Sequence, residues 1–336
     1  ALGVAYKIPS EETLRQRMDD IGRTIRSQIL QENVEMLRAN GIHPAKLKEG
    51  YVPVDADVTP MDNSKTKKEG VSRTYKGYDG FAPMLAYIGT NGYLVNTELR
   101  EGSQHCQCGT PEFLKETIGL CKQITDEKLL FRLDSGNDAF ENMGILLEAG
   151  CYFNIKHNLR REGKESWLSM AKEHCKNVTT PRDGKTVYTG SDWRMISYKL
   201  DDGTEKEVCV RIVYEIIERT TNKYGQFFLE PDIEVNTFWT NLDWDDQDII
   251  NNYHAHGECE QYHSELKTDM DLERLPSGKF DTNELVLELA ILAFNILRMI
   301  GQEALGRRNP RHRENVKRRR HRTGINNLIN MACHVT

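Results

Sequence analysis

The chain has 336 residues, 38% of them hydrophobic and 29% charged, with a net charge of −6 at neutral pH. That composition is ordinary for a globular protein of two domains, or of one large domain with an insertion, and it excludes a disordered or fibrous chain. The most apolar stretch, 285–300, is interrupted by Glu288, Asn295 and Arg298, so it reads as a core helix and no membrane partner is expected.

The chain opens without an initiator Met and without a basic-then-apolar leader, and a helix signal follows within ten residues. This reads as a fragment whose beginning is missing. Residues 10–40 then predict one amphipathic helix. Ser10 serves as N-cap, Glu11 and Glu12 suit the positive end of the helix dipole, and Leu14, Met18, Ile21, Ile25 and Ile29 keep helical spacing up to Gly41. Residues 51–59 predict a short strand in which Asp55 and Asp57 share a face by period-two alternation. The cationic stretches 65–68 and 73–76 predict a polar, mobile loop. Two further strands, 81–88 and 93–99, are joined across Thr90-Asn91-Gly92, a hairpin signal. His105, Cys106 and Cys108 are the one zinc-like cluster. A single C-x-C is weak evidence for zinc, and eight scattered cysteines suit reduced thiols in a cytosol.

A helix is expected over 111–124, then an apolar strand over 129–133 ending in Asp134, a helix over 140–149 closed by Gly150, and a strand over 151–156. A strand–helix–strand unit of this length implies parallel pairing, with chemistry at the carboxyl ends of strands, where Asp134 stands. From about 162 to 230 the turns Asp183-Gly184 and Asp202-Gly203 and the β-prone run 208–217 predict an inserted β-rich subdomain. A core strand resumes over 235–242. The segment 244–269 follows as a helix, and Tyr253, His256, Glu260 and Lys267 fall within a wedge of roughly 60° on its face. That stripe suits a phosphate and a metal ion, although a plain solvated face has the same pattern. Asp281 and Glu284 form a capping box for helix 285–300. Between 307 and 322 nine Lys/Arg stand against one Glu, a surplus of eight that leaves −14 on the rest of the chain. Such a strip, with Arg318, Arg319 and Arg320 at its centre, can neutralise DNA phosphates, or it can be a solvated tail. The boundaries are then 1–45 as a helical lead-in, 46–160 and 233–300 as the two parts of a core, 161–232 as the insertion, and 301–336 as a basic C-terminal segment.

Asp57, Asp134 and Glu260 lie on separate elements, and each has a plain structural role open to it: a turn closure, a helix cap and a surface ion pair. Their order changes the reading. Asp57-Val-Thr59, then Arg132-Leu-Asp134-Ser-Gly136, then Tyr253-x2-His256-x3-Glu260-x6-Lys267 resembles the DDE transposases of bacterial insertion sequences, in the branch with a Y-x2-R-x3-E-x6-K signature. The runs GYDGFAP at 77–83, TNL at 240–242 and residues 275–297 resemble that branch too, so the resemblance spans nearly the whole chain. It implies an α/β fold, an RNase H-like mixed sheet with flanking helices, interrupted by the β-rich insertion. It also implies that Asp57, Asp134 and Glu260 are the catalytic residues and hold two Mg²⁺ or Mn²⁺ ions, with Asp55 in reserve for Asp57.

On the same basis Tyr253 and Lys267 contact phosphates, and His256 stands where the branch has an arginine. A neutral imidazole there implies a weakened clamp that His256→Arg would improve. Asn137 replaces the aromatic residue often found after Asp-Ser-Gly. Trp239 reads as a core residue before a base-stacking one. The partners implied are double-stranded DNA, as transposon ends and target, and a second copy of the chain in a homodimer. The setting implied is a prokaryotic cytoplasm and its nucleoid. An inactive fragment that only binds DNA, or an RNase H-like nuclease without strand transfer, are the alternatives.

Overall fold

The computed structural model describes residues 9–22, 24–306 and 318–330. The lead-in is two helices rather than one, α1 (Glu11–Ile21) and α2 (Arg26–Ala39). Ser10 caps α1 as expected, accepting the Thr13 N–H at 3.2 Å. α1 buries no residue, whereas α2 buries Ile29, Leu30, Asn33, Val34 and Leu37, so only α2 is held by the core.

The strands that follow are β1 (Val52–Val58), β2 (Met84–Ile88) and β3 (Tyr93–Glu98). Next come α3 (Thr110–Ile124), β4 (Leu129–Leu133), α4 (Phe140–Glu148) and β5 (Tyr152–Lys156). β1, β2 and β3 pair antiparallel, while β1–β4 and β4–β5 pair parallel, giving the order 3-2-1-4-5. This is the RNase H-like mixed sheet with flanking helices. β4 is fully buried along its length, which is why its sequence reads as a continuous apolar run.

The strands of the β-rich insertion continue the core sheet. After α5 (Lys164–His174) come β6 (Asn177–Arg182), β7 (Lys185–Lys199), β8 (Glu205–Thr221) and β9 (Phe227–Thr240). β9 pairs antiparallel with β5 through Phe238, Trp239 and Thr240, so all nine strands form one sheet, ordered 3-2-1-4-5-9-8-7-6. Trp239 is 2% exposed and donates Nε1–H to His157 at 3.1 Å, a core position.

The chain closes over the sheet with α6 (Asp246–His254), α7 (Glu258–Ser264) and the 27-residue α8 (Phe280–Gly306). The polar residues inside α8 each have a buried task. Asn295 covers the outer edge of β3, accepting the Leu94 N–H at 2.9 Å and donating to the Leu94 carbonyl at 2.7 Å. This satisfies backbone groups that an edge strand would leave bare. Arg298 is buried against Glu265 at 2.5 Å, and Glu288 lies beside Arg26 at 3.2 Å. No helix among the described residues is long and apolar enough to cross a membrane.

Candidate active site

The register of the parallel pair decides which acidic side chains meet. Asp55 stands opposite Arg132 and Ala56 opposite Leu133, so Asp57 and Asp134 come next, side by side past the end of the ladder. Because side chains alternate, Asp55 and Asp57 share one face, as do Arg132 and Asp134. An opposite-charge pair therefore lies inside, and a like-charge pair lies one pleat further out.

The inner pair is closed. Arg132 donates Nε–H and Nη2–H to the two Asp55 oxygens, each at 2.6 Å, and both side chains are 2% exposed. Burial alone would raise the Asp55 carboxyl, but the Arg132 charge and a hydrogen bond from His256 bring it down to about 2. The reserve residue is thus engaged by structural partners. Among the described residues Asp57 has only the Val58 N–H, at 2.7 Å, and burial followed by the charge of Asp134 pushes its carboxyl up to about 7, with Glu260 adding to the rise.

Asp134 does not cap the turn it begins. Its Oδ1 instead accepts from Asn137 Nδ2 at 2.6 Å, and Asn137 is fully buried with its carbonyl bonded to Asn142 at 2.8 Å. Gly136 leaves room between them, since a Cβ there would come 3.1 Å from Cys106 Sγ and 3.2 Å from an Asp134 oxygen. The support behind Asp134 is therefore an amide.

The segment 244–269 is not one regular helix. α6 gives way to a 3₁₀ turn at Ala255–Gly257, then α7, then a π turn at Glu265–Asp269. Each change of winding re-aims the side chains, so the four residues no longer share one stripe. Tyr253 packs on Phe238 with ring centroids 4.8 Å apart, and burial and then the charges of Asp134 and Asp57 raise its hydroxyl. Glu260 is exposed on α7. Lys267 donates to the Pro60 carbonyl at 3.2 Å, and burial lowers its ammonium.

His256 points inward, 8% exposed, with Nδ1 on Asp55 Oδ1 at 2.9 Å. Burial opposes its charge, but Asp55 prevails and the imidazole is raised. Nδ1 thus ties the turn before α7 to β1, and a guanidinium at position 256 would share the Asp55 carboxylate with Arg132.

Of the basic strip, Arg307 to Lys317 lie outside the described residues. Arg318 is half-buried against Glu265, donates to Gln261 at 2.5 Å, and stacks over the Tyr262 ring at 4.7 Å. Arg320 pairs with Asp269 at 2.8 Å, and Arg319 packs its Cβ against Gly301. Arg318 and Arg320 thus neutralise acids of the segment that carries Glu260. No sequence pattern distinguishes such an internal partner from a phosphate contact.

A cleft of about 380 Å³ is lined by Asp57, Glu260, Lys267, Tyr75 and Lys76. A second, of about 570 Å³, lies on the other side of Glu260 and includes Thr90, Gln261, Arg318 and Arg320. Tyr75 and Lys76 fell in the loop expected to be mobile, so sequence reasoning missed them. Among the described residues none forms an ion pair with Asp57, Asp134 or Glu260, and the crowding raises Asp57. Three hard oxygen donors in need of positive charge fit divalent cations of the Mg²⁺ class. As the side chains stand, no three Asp, Glu, His or Cys among the described residues close on one ion. That suits an ion held by one or two carboxylates and completed by water and phosphate oxygens. Cys106 instead bonds the Gly136 carbonyl at 2.8 Å as a free thiol.

The family of transposase DDE domains, group 1, matches residues 8–323. Among solved structures, a piggyBac transposase in a synaptic complex with hairpin DNA is similar over 82% of this chain, at 11% identity and a TM-score of 0.43. That likeness is too slight to carry an argument, and this chain spans 51% of that one. No curated protein matches.

Proposed function

The chain belongs to the family of transposase DDE domains, and from that premise we propose that it cuts DNA at the ends of an insertion sequence and joins the freed end to a target. The observation that carries this reading is the like-charge pair at the ends of β1 and β4. Asp57 and Asp134 lie next to each other at the carboxyl ends of parallel strands, and Glu260 is close enough to raise Asp57 further. Such an arrangement costs stability, and it has a use where positive charge is brought with the substrate.

The roles follow from placement. Asp57, Asp134 and Glu260 would hold two Mg²⁺ or Mn²⁺ ions, which when bound would activate water or a 3′-hydroxyl and stabilise the leaving oxygen of a phosphodiester. Asn137 fixes the Asp134 carboxylate, and Gly136 lets the chain pass behind it. Lys267 on the rim supplies a point charge for a phosphate; burial lowers its ammonium, with Glu273 and Asp57 opposing. Tyr253 orients its hydroxyl among the carboxylates. DNA ends and target are the partners this reading requires, with a second copy of the chain to bridge two ends, and the nucleoid as the place of work. Incubation with Mg²⁺ and a plasmid carrying the element ends is expected to yield nicks and hairpins, with none from Asp134→Ala. Equal nicking by that variant would overturn the reading.

A further inference from the structure

The turn after β4, which begins at Asp134, is gripped by the loop that follows β5. Asp138, in that turn and 2% exposed, accepts the Asn158 N–H on Oδ2 at 2.9 Å, and its carbonyl accepts from Arg160 Nη2 at 2.5 Å. His157 Nδ1 lies 2.9 Å from the same Oδ2. The other oxygen, Oδ1, is buried and has no hydrogen-bond partner among the described residues, so the carboxyl is held through Oδ2. The gripping loop takes a costly shape to do this. Arg160 has φ +49°, a left-handed conformation for a residue other than glycine, and the Asn158 side chain pins it by accepting the Arg160 N–H at 3.1 Å.

His157 also reaches the inserted strands. It is 7% exposed, with Nδ1 3.1 Å from Trp239 Nε1 on β9 and Nε2 3.2 Å from Glu162 Oε1. Glu162 in turn accepts from Trp167 Nε1 of α5 at 2.8 Å and lies 3.4 Å from Arg194 of β7. Trp239 sets its ring edge-on to Phe140, two residues past Asp138, with centroids 5.9 Å apart. The two ring nitrogens thus serve different elements. Nδ1 faces the turn of Asp134 and β9, donating to Asp138 or accepting from Trp239 one at a time, whereas Nε2 faces the loop into α5.

We propose that His157 is a positioning residue, which through Nδ1 and Asp138 seats the turn that presents Asp134 beside Asp57 and fixes it against the returning strand of the insertion. Asp138 directly follows Asn137, whose amide holds Asp134 Oδ1 at 2.6 Å, so a shift of one is passed to the other. This rests on the DNA-cutting reading above and adds to it the residue that aims one of the carboxylates. A misplacement of about 1 Å at a reacting centre costs up to about a hundred-fold in rate.

Two amide replacements in the full chain separate aiming from packing. Asparagine puts its amide where Nδ1 stands, with a donor for Asp138 and an acceptor for Trp239, while glutamine puts its amide where Nε2 stands and keeps Glu162 alone. Without added metal, hydrogen exchange read by mass spectrometry is expected to quicken about ten-fold over 135–142 in His157→Gln and to stay as in wild type in His157→Asn, with β1 and β2 unchanged in both. With Mg²⁺ and a plasmid carrying the element ends, His157→Gln should cut at least about ten-fold more slowly in a single turnover, yet bind that plasmid in EDTA as tightly as wild type. His157→Asn should cut within about three-fold of wild type. Equal effects of the two replacements, or wild-type cutting and protection in His157→Gln, would overturn the role of His157 while leaving nicking by wild type intact. Absence of nicking by wild type would overturn the DNA-cutting reading, and this role with it.

Discussion

Asp57→Asn is expected to abolish DNA cleavage and, at the same time, to stabilise the metal-free protein above neutral pH. The first effect follows from the proposed role, since a lost ligand removes several kcal/mol of transition-state stabilisation, and ~4 kcal/mol is a thousand-fold in rate. The second follows from the carboxyl's rise to about 7. A carboxyl raised in the fold above its unfolded value of 3.8 contributes stability that is fully present below pH 3.8 and is lost as pH climbs through 7. Above that, Asp57 is charged beside Asp134 and the fold carries the repulsion. Asparagine removes it, for a gain on the order of 2 kcal/mol at alkaline pH and little in acid. Thermal unfolding in EDTA checks this: the variant should melt a few degrees above wild type at about pH 8 and level with it at about pH 4. Added Mg²⁺ should close the gap by raising wild type alone. A variant that cuts, or one whose melting advantage ignores pH, would remove Asp57 from the centre.

Arg132→Met is expected to be the most destabilising single change near the site, by about 3–5 kcal/mol, because it leaves the Asp55 carboxylate buried without its counter-charge. His256 cannot make up the loss, as it offers one hydrogen bond at 2.9 Å where Arg132 offers two at 2.6 Å. The double variant Arg132→Met with Asp55→Leu should recover much of the stability, since removing both charges is far cheaper than removing one. Denaturant midpoints of the two single variants and the double one form the cycle that measures this. Strict additivity would mean that the pair does not hold β1 to β4. Stability recovered in the double variant need not restore cleavage, for Asp57 and Asp134 depend on the register that this pair fixes.

Much of the core was legible because its signals are local. The apolar run of β4 ending at Asp134, the Thr90-Asn91-Gly92 turn and the crossover helix α4 are each written in a few adjacent residues, and the parallel pairing follows from connection length. The choice between Asp55 and Asp57 was not, since both sit on one strand face and only the partner strand shows that Arg132 takes the first. The single helix expected over 244–269 failed because hydrophobic and polar spacing cannot register a 3₁₀ turn, which carries His256, followed by a π turn. The strands of the β-rich segment were legible from its turns, but β-propensity does not reveal that Phe238 to Thr240 pair with β5 and so join them to the core sheet. Arg318 and Arg320 were read by charge, whereas their partners Glu265 and Asp269 lie some fifty residues earlier in the chain.

That separation bears on the order in which a ribosome delivers the molecule. Glu265 emerges five residues after Glu260, meets Arg298 only once α8 has been made, and meets Arg318 a further twenty residues on. A nascent polypeptide halted before Arg318 has the acidic constellation in its sequence but only half the positive charge that Glu265 is built to bear. The segment presenting Glu260 is therefore among the last parts of the sheet's covering to be locked.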